Sequence, residues 1–200
     1  DVDELNNNLP DKIPHYDSAL PNAYEYITEH VTPNQLKHFS LEVILKISKA
    51  TGQEIGTHTF SHYYCSEKGQ RINELDCDIE LAVKIAKKFD LPVIMHVRGA
   101  IDLVLKNLRK IKVRGGIAHA FNGSFQQAEQ LIKLGFKLGF GGVITYERAK
   151  HVRSLAQNLP IEAIVLETDA PDMNPSWLEN ILPNEPAQLK KISQIFCKLR

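Results

Sequence analysis

The chain has 200 residues, and its 24 Lys and Arg balance 24 Asp and Glu, so its formal net charge at pH 7 is zero. A hydrophobic fraction of 43% and a charged fraction of 24% are typical of globular proteins and exclude a chain that is disordered throughout. The zero net charge excludes binding driven by a positive field over the whole molecule, such as the wrapping of duplex DNA, but allows a local phosphate site.

The length predicts one domain, or two small ones, with enough core to fold without disulfide bonds or bound metals. No stretch approaches the ~20 apolar residues that a membrane span needs. Cys65, Cys77 and Cys197 are odd in number and widely spaced, so neither a disulfide framework nor a thiolate zinc site is expected. A reducing, cytoplasmic location is the simpler expectation.

Predicted helices and strands alternate from residue 40 onward, after a Pro-punctuated stretch that predicts loops. Ser40 and Ser124 are suitable amino-terminal caps for the helices that follow them. The predicted helices cover residues 40–50, 72–89, 100–111, 124–134, 147–159 and 186–199. The predicted strands cover residues 53–60, 91–97, 115–121, 136–146 and 161–168.

This alternation of strands with helices of 10–15 residues predicts repeated βαβ units and therefore an α/β fold with a parallel sheet. Two architectures fit, a barrel and a doubly wound sheet. The GFGG run at 139–142 is not a dinucleotide-binding fingerprint. Because a complete (β/α)₈ barrel typically needs ~250 residues, the expected fold is a TIM-barrel-like fold that is incomplete or hybrid.

Polar side chains that bind metals stand at the ends of several predicted strands. His96, His119 and Asp169 each end an apolar run, and Glu54 lies in the first predicted strand. Because parallel α/β folds place their sites at the carboxyl ends of the strands, these groups are expected to converge. Imidazole and carboxylate ligands suit Zn, Mn or Mg, and such a metal activates water for hydrolysis.

His58 and His62 form a second candidate metal pair. Four residues apart, they meet on one face of a helical turn, but in an extended strand they lie ~13 Å apart. Metal binding therefore requires a turn around residues 59–61, and the alternative is a pair of surface histidines.

Residues 80–200 resemble the TatD family of metal-dependent deoxyribonucleases. The similarity is found in LPVIMHVRGA (91–100), GGIAHAFNGS (115–124), KLGFKLGFGG (133–142) and LETDAPDM (166–173). The resemblance implies a TIM-like barrel with a two-metal phosphodiesterase site and DNA as the substrate. It also implies His96 and His119 as ligands, Asp169 as a metal-binding or water-orienting carboxylate, and Arg98 and Asn122 at the substrate rim. Glu54 matches the family's metal-bridging glutamate.

Residues 1 to about 85 resemble a different family, the NodB-like polysaccharide deacetylases, in PDKIPHYDSA and in GQEIGTHTFSHYYCSEKGQ (52–70). That resemblance implies His58 and His62 as zinc ligands. The first-strand His-x-His of the TatD family and the Asp-Asp motif of the deacetylases are both absent. We therefore interpret the chain as one domain built from two fragments, about 1–85 and about 86–200, and as a chimera.

Three functions follow from these resemblances. The first is a TatD-like phosphodiesterase, impaired by its missing ligands, with catalytic roles for Asp169 and Glu54. The second is a zinc-dependent polysaccharide deacetylase. The third is a chimeric scaffold without turnover, whose open sheet edges predict homodimerisation.

A basic run could contact phosphate if the chain binds nucleic acid, and the alternative is a solvated helix face. The run consists of Lys106, Arg109, Lys110, Lys112 and Arg114.

Overall fold

The computed structural model describes residues 49, 71–97, 99–178 and 183–200. The chain divides into two compact units, and the larger one contains Val83–Arg200. The fold described below is that of this larger unit, apart from the first helix, whose amino-terminal residues belong to the other unit.

Helices and parallel strands alternate along the described chain, as the sequence predicts. The α-helices are α1 (Ile72–Lys88), α2 (Ile101–Lys110), α3 (Phe125–Lys133), α4 (Lys150–Asn158) and α5 (Leu189–Leu199). The strands are β1 (Val93–His96), β2 (Gly116–His119), β3 (Phe136–Phe140) and β4 (Ile164–Leu166). Short 3₁₀ helices occupy Gly142–Thr145, Ile161–Ala163 and Pro186–Gln188. This order confirms the α/β fold with a parallel sheet.

Several predicted elements are longer than the observed ones. The strand predicted for 136–146 ends at Phe140, because residues 142–145 turn into a 3₁₀ helix. The helix predicted from 147 begins at Lys150, and the strand predicted for 161–168 is reduced to Ile164–Leu166. The predicted helix at 40–50 and strand at 53–60 lie outside the described residues, except for Lys49.

The four strands form one sheet in the order β1-β2-β3-β4, with all neighbours parallel. Val93 pairs with Gly116, which pairs with Phe136. The amino ends of the strands therefore lie along one side of the sheet, and their carboxyl ends lie along the opposite side, called the carboxyl edge below. His96 pairs with His119 at the carboxyl edge. This register places the ends of β1 and β2 side by side.

The core lies between the sheet and the helices that connect its strands. Leu105 and Leu108 of α2, Leu131 of α3 and Leu138 of β3 are each at most 1% exposed. Burying such side chains stabilises the fold by about 1.5–3 kcal/mol each. The core therefore joins α2 and α3 to the sheet.

Helix α3 begins with the cap that the sequence predicts. The Ser124 hydroxyl accepts a hydrogen bond from the backbone N–H of Gln127, and the Gln127 side chain accepts one from the backbone N–H of Ser124. This capping box satisfies two donors that a helix end otherwise leaves open. It fixes the turn that follows β2.

Among the described helices, none combines the length and the apolar character that crossing a membrane requires.

Candidate functional site

Two histidines stand side by side at the carboxyl edge of the sheet. His96 ends β1 and His119 ends β2, and their ring centroids lie 5.2 Å apart with the planes inclined by 38°. Register partners in adjacent parallel strands point to the same face of the sheet, so the pairing itself brings the two rings together. The structure thus places these two predicted ligands as neighbours.

Glu167 follows β4, which is not adjacent to the strand of His119, and its side chain contacts that histidine. One carboxylate oxygen lies 2.9 Å from His119 Nδ1, and the other accepts a 2.6 Å hydrogen bond from the backbone N–H of Ala120. Ala120 has a φ of 48°, an unfavourable value for a residue with a side chain, and this conformation accompanies the hydrogen bond to Glu167. Glu167 therefore orients both the imidazole and the backbone that follows it.

Gly139 makes this contact possible. Strand β3 lies between β2 and β4, so the Glu167 side chain must cross β3 to reach His119. A Cβ at position 139 would lie only 2.3 Å from a Glu167 carboxylate oxygen. The absence of a side chain at Gly139 is therefore a steric requirement of the site.

Asp169 approaches the opposite nitrogen of the same imidazole. Its Oδ2 lies 3.3 Å from His119 Nε2, and the residue itself has a φ of 55°. In the tautomer whose Nδ1–H donates to Glu167, Nε2 presents a lone pair to the Asp169 carboxylate. Two such acceptors face each other favourably only with a proton or a cation between them.

The spacing of these two acceptors fits a shared metal ion. Ligands at about 2.0–2.2 Å from Zn²⁺ with bond angles between square and tetrahedral are about 3–3.5 Å apart. The 3.3 Å between His119 Nε2 and Asp169 Oδ2 falls in this interval. The carboxylate on Nδ1 is also the arrangement that fixes the tautomer of metal-binding histidines.

The described residues do not supply a complete set of ligands. Within them, no group of three or more His, Cys, Asp or Glu is arranged to hold a metal ion. His119 and Asp169 form a donor pair, and His96 stands beside it.

A buried asparagine fastens the loop that presents Asp169. Asn184 is 3% exposed. Its side-chain amide donates hydrogen bonds to the backbone carbonyls of Thr168 and Asp172 at 2.7 and 2.8 Å. Its backbone N–H donates to the Pro171 carbonyl at 2.9 Å. Asn184 thereby holds the residues on both sides of Asp169.

His96, His119 and Asp169 border a cavity of about 490 Å³. A cavity of this volume suits a small substrate or one unit of a polymer. Its polar lining includes His96, His119, Asn122, Asp169 and Asp172. Its apolar wall includes Phe121, Phe140, Val143, Val152 and Met173. Asn122 is exposed at the cavity, as expected for a substrate contact.

The structure brings together four of the predicted site residues, namely His96, His119, Asp169 and Asn122. Glu54, His58, His62 and Arg98 lie outside the described residues. Sequence reasoning missed the positioning roles of Glu167, Gly139 and Asn184. The first two stand inside the blocks LETDAPDM and KLGFKLGFGG, so their positions were marked although their roles were not.

Comparison with known protein families shows to which family the chain belongs. The family model described as TatD related DNase matches residues 27–200. The chain belongs to this family.

Among similar sequences, the uncharacterized metal-dependent hydrolase YjjV of Escherichia coli K12 is 43% identical over 119 residues, which cover 59% of this chain and 46% of YjjV. An uncharacterized metal-dependent hydrolase of Haemophilus influenzae is 41% identical over 122 residues, covering 60% of this chain and 46% of that protein. The chain thus matches about half the length of these relatives.

Solved structures of TatD proteins share the fold. The crystal structure of YjjV, a TatD homologue from Escherichia coli K12, superposes with a TM-score of 0.61 at 40% identity and covers 64% of this chain and 49% of YjjV. A TatD family hydrolase from Entamoeba histolytica has a TM-score of 0.60 at 17% identity, covering 88% and 64% of the two chains, and supports the fold alone.

The interpretation of the chain as a chimera finds no support in these comparisons. The TatD model matches from residue 27, so a single family covers most of the segment that we had compared with polysaccharide deacetylases. The short H-T-x-x-H similarity at 58–62 is therefore no evidence for a second family. The zinc pair His58 and His62 loses the support of that resemblance and stays a prediction from its spacing.

Proposed function

We propose that the chain is part of a metal-dependent hydrolase that cleaves phosphodiester bonds in DNA. The observation that most supports this is His119 held between Glu167 and Asp169 at 2.9 and 3.3 Å, beside a cavity at the carboxyl edge of a parallel sheet. Membership of the TatD-related DNase family adds the substrate class, and the names of its relatives add the requirement for a metal.

In this proposal, His119, Asp169 and His96 bind a divalent cation, which is Zn, Mn or Mg. Glu54 is a further ligand by its match to the family's glutamate. A bound divalent ion polarises a phosphoryl oxygen and lowers the pKa of water. The ion thus supplies electrophilic stabilisation that the described side chains lack.

The residues of the chain position the reaction. Glu167 keeps the Nε2 lone pair of His119 directed towards Asp169, and Asp169 accepts a proton from the attacking water. Asn122, which is exposed at the cavity, donates a hydrogen bond to a phosphate oxygen. The apolar wall around Phe121 and Val143 contacts the sugar and base next to the cleaved bond.

The test combines metal content with hydrolysis. The full chain is dialysed with Mn²⁺ or Zn²⁺, its bound metal is quantified by mass spectrometry, and cleavage of a fluorescent DNA oligonucleotide is measured. We expect Asp169→Asn to reduce bound metal and to lower cleavage at least about tenfold, because an amide replaces the anionic ligand.

Glu129→Gln provides the matched control, since it neutralises an exposed carboxylate on α3. Unchanged metal content and cleavage in Asp169→Asn would refute the assignment. Release of acetate from an N-acetylated sugar polymer without cleavage of DNA would support the deacetylase alternative instead.

A further inference from the structure

The zero net charge of the chain conceals a marked asymmetry. Residues 83–200 contain 18 Lys and Arg against 10 Asp and Glu, whereas residues 1–82 contain 6 against 14. Residues 83–200, which make up nearly all of the larger unit, therefore have a formal charge of +8, and residues 1–82 have a formal charge of −8. Such a separation of charge within one chain is typical of proteins that bind polyanions.

The excess cations of the larger unit gather at the edge where the strands begin, opposite the candidate site. The last residues of α1, α2 and α3, the turns that follow them before β1, β2 and β3, and the first residues of β3 together present exposed basic side chains. We define the basic edge as Lys88, Lys110, Lys112, Arg114, Lys133 and Lys137, all of which are exposed. Among the described residues of these turns and of the turn before β4, Asp90 and Glu162 are the acidic ones.

Close backbone contact joins two of these turns. A Cβ at Gly115 would lie 2.4 Å from the Gly135 carbonyl oxygen, so the turns before β2 and β3 touch. Arg109 also donates a hydrogen bond to Gln130, which joins the ends of α2 and α3. The fold therefore holds the backbone at Arg114 close to the turn that follows Lys133.

An exposed aromatic ring adjoins these cations. Phe89, in the turn before β1, is 56% exposed, and Lys88 Nζ lies 5.3 Å from its ring centroid. Surfaces that bind single-stranded nucleic acid combine cations that contact phosphates with exposed rings on which bases stack.

We propose that the basic edge, together with Phe89, binds single-stranded nucleic acid. The lysines and Arg114 contact phosphates, and Phe89 stacks on a base. This surface goes beyond the proposed hydrolase site, because a four-residue strand of about 13 Å separates the two edges of the sheet. Binding there requires neither the metal nor His119.

The experiment measures binding of the full chain to a fluorescein-labelled oligothymidylate of 20 nucleotides by anisotropy, at several salt concentrations. EDTA is present throughout, so that hydrolysis does not contribute. We expect Lys112→Gln/Lys133→Gln to weaken binding and to reduce the slope of log Kd against log salt by about 1–1.5, since each phosphate contact on a single strand contributes about 0.7.

Two further variants separate charge from stacking. Lys112→Arg/Lys133→Arg preserves both charges and is expected to bind as the wild type does. Phe89→Leu keeps an apolar side chain but removes the ring, and is expected to weaken binding about 5- to 100-fold with an unchanged salt slope. An unaffected Kd in Phe89→Leu would overturn the stacking contact.

A matched control removes two exposed lysines elsewhere, with Lys190→Gln/Lys191→Gln at the beginning of α5. Equal weakening in this control and in Lys112→Gln/Lys133→Gln would show that only the overall charge matters, and would overturn the basic edge. Binding to vesicles of anionic phospholipid without binding to oligothymidylate would also overturn it. Loss of DNA cleavage in Asp169→Asn leaves this binding unchanged, so the two proposals fail separately.

Discussion

His119 is the residue on which the candidate site is centred, and its two ring nitrogens have different partners. Nδ1 contacts Glu167 and Nε2 faces Asp169, so each carboxylate has a separate task. Glu167 is tied to the backbone N–H of Ala120 and fixes the ring, whereas Asp169 is 35% exposed and is available to a ligand or substrate. In the proposed hydrolase site, Glu167 therefore orients the imidazole and Asp169 is the reactive carboxylate.

At this scale, Glu167→Gln and Gly139→Ala are expected to impair the same function by different routes. The first removes the anionic acceptor of Nδ1–H, and the second places a methyl group in the space that the Glu167 carboxylate occupies. Each should lower metal affinity or cleavage about 10- to 100-fold, the usual effect of losing the partner of a metal-binding histidine. Metal titration followed by DNA cleavage measures both quantities.

Gly135→Ala serves as a contrasting glycine variant, since Gly135 has a φ of 87° and lies at the opposite edge of the sheet. It should cost stability through backbone strain without a selective loss of metal affinity. If Gly139→Ala retained wild-type metal affinity and cleavage, the crossing of β3 by Glu167 would have no functional meaning.

Among the elements, the loop between β4 and α5 does most to shape the site. Asp169 and Met173 have φ values of 55° and 53°, so the loop adopts a conformation that its residues do not favour by themselves. Asn184 offsets this by donating to the carbonyls of Thr168 and Asp172. A second clasp joins the loop to the segment after β3, where the backbone N–H of Ser176 donates to the Thr145 hydroxyl at 2.7 Å.

Replacing Asn184 is therefore expected to loosen the presentation of Asp169. Asn184→Ala removes the amide donors and leaves partly buried carbonyls without them, which costs about 1 kcal/mol or more of unfolding free energy. At a temperature where the variant is folded, its rate of DNA cleavage should still be lower than that of the wild type, so the loss of stability does not account for the whole effect. Urea unfolding and steady-state cleavage separate the two effects.

Asn158→Ala is the control, because Asn158 also donates to a backbone carbonyl, that of Ser154, but at an exposed helix end. It should change stability by less than Asn184→Ala does and leave cleavage intact. Equal cleavage by Asn184→Ala and the wild type at matched folded fractions would contradict a positioning role for Asn184.

The molecule as a whole separates its chemistry from its positive charge. The carboxyl edge of the sheet holds the acidic and imidazole groups of the candidate site, and the opposite edge holds the basic turns. The basic run of the sequence therefore lies on α2 and in the turn after it, away from the cavity, so it does not contact a phosphate bound there. Homodimerisation stays a prediction, for light scattering to test.

Metal binding is expected to raise the unfolding temperature of the full chain. A ligand that binds only the folded protein adds about 2.7 kcal/mol of stability when its concentration is 100 times its Kd. Calorimetry with and without Mn²⁺ or Zn²⁺ measures this shift, which should be reduced or absent in His119→Asn. The same shift in this variant as in the wild type would place the metal elsewhere on the chain.

Much of this architecture was predictable, because local patterns determine it. Apolar periodicity defined the helices to within a few residues, and the alternation of strands with helices predicted a parallel sheet. The Ser124 cap was predictable because both of its partners lie within four residues. His96, His119 and Asp169 were identifiable because each follows an apolar strand, and parallel strands end at a common edge.

Tertiary structure decided what depends on neighbours distant in sequence. The prediction that β3 continues beyond Phe140 was wrong, because Gly142 begins a 3₁₀ helix that packs closely against the backbone at Met173. A Cβ at Gly142 would lie 2.2 Å from the Met173 carbonyl oxygen. The sequence indicated only that Glu167 lies near the end of an apolar strand. Its contact with His119 depends on the strand register, which places Gly139 between the two residues. Sequence reports which groups are present near a strand end, but the distance between two groups is fixed only when strands pair and pack.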